Sequence, residues 1–151
     1  MAAILLSTVV DVAKALAHPG RLRILAMLRD AELCVCQMTA VLRLATSTVS
    51  AHLSDLRRSG LVAERKDAKW VYYRLTDEEP LRSLVHEVLA LADADRQFRE
   101  DAALIRSLRR IPVETLCRAG LDLRAVGIGP AARPARRSAT RRRSRARRRA
   151  A

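Results

Sequence analysis

A mainly α-helical fold carrying one small β-hairpin is what this 151-residue sequence predicts, and three observations predict it. The segment Thr46-Ser47-Thr48-Val49-Ser50-Ala51-His52-Leu53-Ser54-Asp55-Leu56-Arg57-Arg58-Ser59-Gly60 has a polar start, helical spacing and a terminal glycine. Val49, Leu53 and Leu56 fall at i, i+4 and i+7 and make one apolar stripe, while Ser47, Ala51, Ser54 and Arg58 turn to the opposite side. Gly60 supplies the left-handed residue that ends the helix. Directly after it, Leu61-Val62-Ala63-Glu64-Arg65 and Trp70-Val71-Tyr72-Tyr73-Arg74-Leu75 are strand-like runs rich in β-branched and aromatic residues, joined by the polar stretch Lys66-Asp67-Ala68-Lys69. They read as a hairpin with a charged tip. Third, half of the residues are apolar, yet the chain holds only one Trp, two Tyr and one Phe. The core is therefore aliphatic, which suits short packed helices better than a large sandwich.

The other elements follow in order. Residues of about 4–17 form a first helix with Val9, Val12, Ala13 and Leu16 at helical spacing, and Pro19-Gly20 breaks it. Residues of about 20–29 form a second, with Ile24, Leu25 and Leu28 inward. A third runs from Cys34 or Val35 to Leu42, and Arg43-Leu44-Ala45 is the turn into the 46–60 helix. Helix, turn, helix and basic hairpin in that order make a winged helix-turn-helix. After the hairpin, Thr76 followed by Glu79 makes a capping box that opens a helix with Leu81, Leu84, Val85, Val88 and Leu91 or Ala92 on one side. That stripe is more apolar than so small a core needs, so the expectation is a dimer through the terminal helices. Leu104, Ile105 and Leu108 suggest a further helical stretch that Pro112 stops, and Leu116, Cys117 and Leu121 a short one after it. The expected organisation is a winged helix-turn-helix DNA-binding and dimerisation domain over residues 1–95, a helical extension over 96–126 and a disordered Arg-rich tail over 127–151.

Charge supports the tail. The formal net charge is +13, and residues 123–151 hold 11 of the 29 Lys and Arg but none of the 16 acids, which leaves 18 basic residues against 16 acidic ones before them. With hardly any large apolar residue, the tail has nothing to offset the entropy of ordering it. Its arginines either bind phosphates without sequence preference, in a salt-dependent way, or form a solvated tail with no dedicated role. The cysteines number three, two of them one residue apart, so no structural disulfide framework is expected. The N-terminal apolar run lacks a basic region before it and is soon interrupted by Asp11 and Lys14, so neither a signal peptide nor a membrane span is expected, and a cytoplasmic protein is. No Gly-rich phosphate loop, Ser/His/Asp arrangement or paired-carboxylate constellation points to an enzyme.

The stretch Glu32-Leu33-Cys34-Val35-Cys36 places two thiols at the start of the third helix. Thiolates are soft ligands that select thiophilic ions over magnesium or calcium. In mid-helix, residues i and i+2 point about 200° apart and share no ion. At a first turn the backbone can bend to bring the sulfurs together, and an ion held there distorts the helix that supports the 46–60 helix. Ion and DNA then weaken each other's binding. The residues alone leave a plainer alternative open, two small hydrophobes in a core.

These residues together resemble the ArsR/SmtB family of metal-responsive repressors. The likeness covers roughly residues 8–95: Ala15-Leu16-Ala17-His18-Pro19-Gly20-Arg21-Leu22-Arg23-Ile24-Leu25, the Cys pair, Ser47-Thr48-Val49-Ser50-Ala51-His52-Leu53, and Gly60-Leu61-Val62 followed by Trp70-Val71-Tyr72-Tyr73-Arg74-Leu75. The resemblance implies a homodimer on double-stranded operator DNA. Glu-Leu-Cys-Val-Cys is similar to the arsenic-responsive branch, and implies that Cys34 and Cys36 bind As(III) or Sb(III) as an inducer, with no permanently bound cofactor. That branch usually has a third Cys where this chain has Thr39. The last ligand position falls to water, an exogenous thiol or Cys117, which also reads as a small buried apolar residue. Zinc- and nickel-type relatives use carboxylates and imidazoles along the dimer helix; here it offers His86 and Glu87 without a second His near Asp93 or Asp95. Alternatives on the same fold are a sensor of another thiophilic ion or of thiol oxidation, and outside it a metal-independent DNA-binding protein driven by the tail.

For DNA, Thr46, Ser47, Thr48 and Ser50 offer hydroxyls to base edges and Ala51 a methyl for thymine. Ala51 stands where the family frequently has Arg. His52 flanks the apolar stripe and reads equally as packing, phosphate contact or base readout. Arg57, Arg58, Lys66 and Lys69 suit phosphate or minor-groove contact.

Overall fold

The computed structural model describes residues 3–129. Its elements are α1 (Leu6–Leu16), α2 (Pro19–Met27), β1 (Leu33–Cys34), α3 (Val35–Leu42), α4 (Thr46–Arg58), β2 (Val62–Asp67), β3 (Trp70–Leu75), α5 (Leu81–Ala90), α6 (Arg96–Leu108) and α7 (Val113–Arg118). The expected tail from residue 130 onward lies outside the described residues.

The helix-turn-helix is α3 and α4. Val49, Leu53 and Leu56 are fully buried, so the stripe on α4 faces the core and its hydroxyl-bearing side is left to solvent. The α4 end carries two closing bonds, from Gly60 N–H to the Arg57 carbonyl and from Leu61 N–H to the Leu56 carbonyl, each 3.0 Å. Gly60 has φ +77°, the left-handed residue such an end requires, and Leu61 plugs the core beside it. The turn between the two helices uses a residue the sequence gives no hint of: Arg43 closes α3 at φ +55°.

The hairpin is longer than its composition suggests. Asp67 pairs with Trp70, so Lys66 and Asp67 belong to β2 and only Ala68-Lys69 turns, with Ala68 at φ +51°. A third strand joins it, giving the order β1-β3-β2, all antiparallel. β1 is two residues long, below the length at which alternation is visible. It pairs Leu33 with Tyr73 and Cys34 with Tyr72.

Two expectations are corrected. Thr76 and Glu79 make no capping box: the Thr76 hydroxyl accepts from Glu78 N–H, and Glu79 turns its carboxylate onward to the Ser83 N–H and hydroxyl. The helix accordingly starts later, at Leu81. On α1 the inward residues are Val12 and Ala15, while Val9 and Ala13 are exposed.

The last two helices belong to the same core as the rest. Ile105, Leu108, Leu116 and Leu123 join one cluster with Leu25, Met38, Leu53 and Leu89, so a boundary at residue 95 separates no second core. Asp101 anchors α6: its carboxylate takes Arg23 Nε at 2.7 Å and an Arg23 terminal nitrogen at 2.9 Å, plus the Gln97 amide at 3.0 Å. Large apolar side chains left outside the core gather on α1 (Leu6, Val9, Val10) with Leu5 before it, and on α5 and its end (Leu84, Leu91). None of the helices among the described residues is long and apolar enough to cross a membrane.

Candidate sensor site and DNA-binding face

The three thiols stand together. Cys34 is the N-cap of α3 and sits in extended backbone. Gln37, three residues on, returns its side-chain oxygen to the Cys34 N–H at 2.8 Å, which fixes the start of the helix. Cys36 lies in the first turn. From the other end of the chain, α7 brings the Cys117 thiol to within 2.9 Å of Cys36 Sγ, across 81 residues of sequence. Cys36 also interacts with the Cys34 sulfur, so the three sulfurs form a short chain with Cys36 in the middle. All three are free thiols. Pro112 starts α7 in extended backbone and Leu116 is buried, so the neighbouring Cys117 is turned toward α3 by the packing of the helix.

The electrostatics are uneven along that chain. Cys34 is lowered to about 7, first by its bond with the Cys36 thiol and then by backbone N–H groups of Cys36, Val35 and Val71 that favour a thiolate. Cys36 moves the opposite way: Cys34 beside it, burial and Cys117 all push its thiol up. Of the two, Cys34 is the thiol that gives up its proton more readily. Among the described residues, no group of three or more His, Cys, Asp or Glu side chains surrounds a common point as a finished ion site. The donor set is nonetheless all sulfur, and β1, α3 and α7 each supply one thiol. Such a set fits a trivalent thiophilic ion if the sulfurs spread around it. Thr39, one turn beyond Cys36, adds a buried hydroxyl with no hydrogen-bond partner.

On the DNA side, Thr46, Ser47, Thr48, Ser50 and Ala51 are all exposed on one stretch of α4, a continuous polar surface at the helix N-terminus. His52 is half-buried, its ring 4.5 Å from the His18 ring; burial, then His18 and Arg21, hold its pKa below the usual histidine value. His18 is itself committed as the N-cap of α2, accepting from Gly20 N–H at 3.0 Å. The basic candidates divide. Arg57 is paired with Glu64 at 2.8 Å and Arg58 with Asp55, so in the DNA-free protein both are engaged. Lys69 lies over the Trp70 ring, 4.9 Å from its centroid, and Lys66 projects from the wing without an ion pair among the described residues. At the wing's base Arg65 bonds Glu32 and covers the Tyr72 ring at 4.9 Å. That contact ties the wing to the segment carrying the first thiol. Sequence reasoning missed Gln37, Arg65 and Glu32; of these only Gln37, at the third helical position after a candidate N-cap, had a legible signal.

The pattern of bacterial regulatory proteins of the arsR family matches residues 18–64, the span from the α2 N-cap into the wing. The arsenic resistance transcriptional regulator ArsR2 of Pseudomonas putida is 38% identical over 96 residues, covering 62% of this chain and 82% of that protein. The transcriptional activator HlyU of Vibrio cholerae is 43% identical over 82 residues, 53% of this chain and 76% of that one. In structure, the chain is similar to the homodimeric winged helix-turn-helix DNA-binding domain of a possible ArsR-family regulator from Mycobacterium bovis, with a TM-score of 0.53 and 36% identity over 58% of this chain and 81% of that one. The matched span holds α3, α4 and the first half of β2, the parts that present the polar surface of α4. With that surface, that fold and these relatives, the chain belongs to the ArsR family of bacterial regulatory proteins, a winged helix-turn-helix transcriptional regulator and not an enzyme.

Proposed function

We propose that this protein is a homodimeric repressor that holds operator DNA while its thiols are free, and leaves it when As(III) or Sb(III) binds Cys34 and Cys36, with Cys117 as the third sulfur. The observation that carries this reading is the meeting of the three thiols at the start of α3, the helix that packs directly on α4. A trivalent ion bonds three sulfurs around itself, so the present chain of sulfurs must open into a ring. That moves the first turn of α3, and with it the support of α4. The DNA-bound arrangement needs α4 in place, so ion and operator oppose each other by the same coupling energy in both directions. The similarity to an arsenic resistance regulator supports the identity of the ion.

Dimerisation follows from the apolar side chains that α1 and α5 leave outside the core, with Leu6 80% and Leu91 89% exposed. A two-fold dimer sets two α4 helices about one DNA turn apart, each with Thr46, Ser47, Thr48, Ser50, Ala51 and His52 toward base edges and Lys66, Lys69, Arg57 and Arg58 toward phosphates.

The test is fluorescence anisotropy of the reduced protein on its own promoter DNA, titrated with arsenite. Release in the wild type, and retention in Cys34→Ser, Cys36→Ser and Cys117→Ser, is the expected result; release in the Cys36→Ser variant refutes it. The Cys36–Cys117 contact favours a second reading, in which hydrogen peroxide takes one proton and one electron from each thiol, giving a Cys36–Cys117 disulfide and two waters. Release by peroxide alone, lost in Cys117→Ser, distinguishes it.

A further inference from the structure

A cavity of about 820 Å³ opens between α3, α6 and the segment after α7, away from the sulfurs and from the polar surface of α4. Its volume lies within the range of small-molecule sites. The floor is aliphatic, from Ala40 of α3, Leu104 of α6, and Leu121, Leu123 and Ile128 of the closing segment. The mouth is basic. Arg43, Arg99 and Arg124 all line it, and among the described residues none of the three has a carboxylate partner. Of the two acids there, Glu100 is already paired with Arg96 at 2.6 Å and Asp122 accepts the Arg124 N–H at 2.9 Å. An apolar body with one negative charge satisfies both parts of such a site. Residues 130–151 are the wrong complement, with ten Arg and no acid.

We propose that this cavity binds a small organic anion, an apolar chain or ring carrying one carboxylate, with its charge between Arg43 and Arg124 and its body on Leu104, Leu121 and Ile128. Arg43 is also the left-handed residue between α3 and α4, so the anion's charge rests on the joint of the helix-turn-helix. The protein thereby acquires a second effector site, independent of its thiols.

The test uses decanoate below its micellar concentration and the full chain, by isothermal titration calorimetry. Saturable binding of one decanoate per chain is expected, weakened about tenfold by Arg124→Ala or by replacing decanoate with uncharged decanol, the effect of one lost ion pair. Ala103→Trp, at an exposed position on the cavity wall, is expected to block binding while leaving the melting temperature in place. Equal binding by wild type, Arg124→Ala and Ala103→Trp overturns the site, because the decanoate then lies on the apolar faces of α1 and α5. In the operator assay, saturating decanoate is expected to change DNA affinity about threefold or more, in wild type and in Cys36→Ser alike. An unchanged affinity overturns the effector role whatever the thiols do.

Discussion

Replacing Asp101 by Ala removes the carboxylate that docks α6 on α2. Its side chain is 2% exposed, and that of its partner Arg23 is 22% exposed. The two bonds from Arg23, at 2.7 and 2.9 Å, are a side-by-side pair, and Gln97 fills a further acceptor position at 3.0 Å. Without Asp101 the guanidinium keeps its charge in a largely dry setting and the Gln97 amide loses its acceptor. Breaking a buried pair from one side costs about 3–5 kcal/mol, and the partial exposure of Arg23 places this case near about 3. For a domain of this size each kcal/mol moves the melting temperature by roughly 3–4 °C, so a fall of about 10 °C is expected at fixed protein concentration. Thermal melts followed by circular dichroism measure it. The double variant Arg23→Met with Asp101→Leu separates pair from position, since an apolar pair of similar volume should recover most of the loss. A drop under about 3 °C for Asp101→Ala, or no recovery in the double variant, refutes the account in which this pair fastens α6.

Four further outcomes are expected. Thr39→Val removes a buried hydroxyl that has no partner, so urea unfolding should show a gain of about 1 kcal/mol; a loss of that size means the hydroxyl is satisfied in solution. Because burial and its neighbours lower the His52 pKa below 6.5, the fold favours neutral His52. Its stability contribution is then present above that value and is lost as pH falls through it toward the lowered folded value. The difference in urea midpoint between about pH 8 and about pH 5.5 should therefore shrink in His52→Gln, and an unchanged difference rejects the assignment. Leu6→Glu with Leu84→Glu places charges on the two exposed apolar faces; sedimentation should show dimer association weakened at least about tenfold, against no change if these faces are free. Ending the chain after Gly129 removes ten Arg, and the slope of log affinity against log salt on unrelated DNA should fall by several units if they contact phosphates.

Two kinds of information were separable here. The α4 stripe, its glycine end, the hairpin and the aliphatic core were legible because each depends on neighbours within a few residues: Val49, Leu53 and Leu56 share a face whatever the rest of the chain does, and Gly60 relieves a local backbone requirement. The Cys34-Val35-Cys36 spacing was equally local, and so marked two of the three thiols. Long-range packing decided the remainder. A two-residue strand has no period to read, so only its pairing with β3 revealed that Cys34 leaves the sheet as Cys36 enters the helix. The capping box expected at Thr76 gave way to a bond between Glu79 and Ser83 inside the next helix, since one short motif had two local partners to choose from. Asp101 carries no local signal of its role, because its partner Arg23 is brought to it by α2 from 78 residues away. Cys117 reached Cys36 for the same reason. Sequence specifies which side chains an element exposes, but which of them meet depends on how whole helices fill a common core, and that choice is made by all of the chain at once.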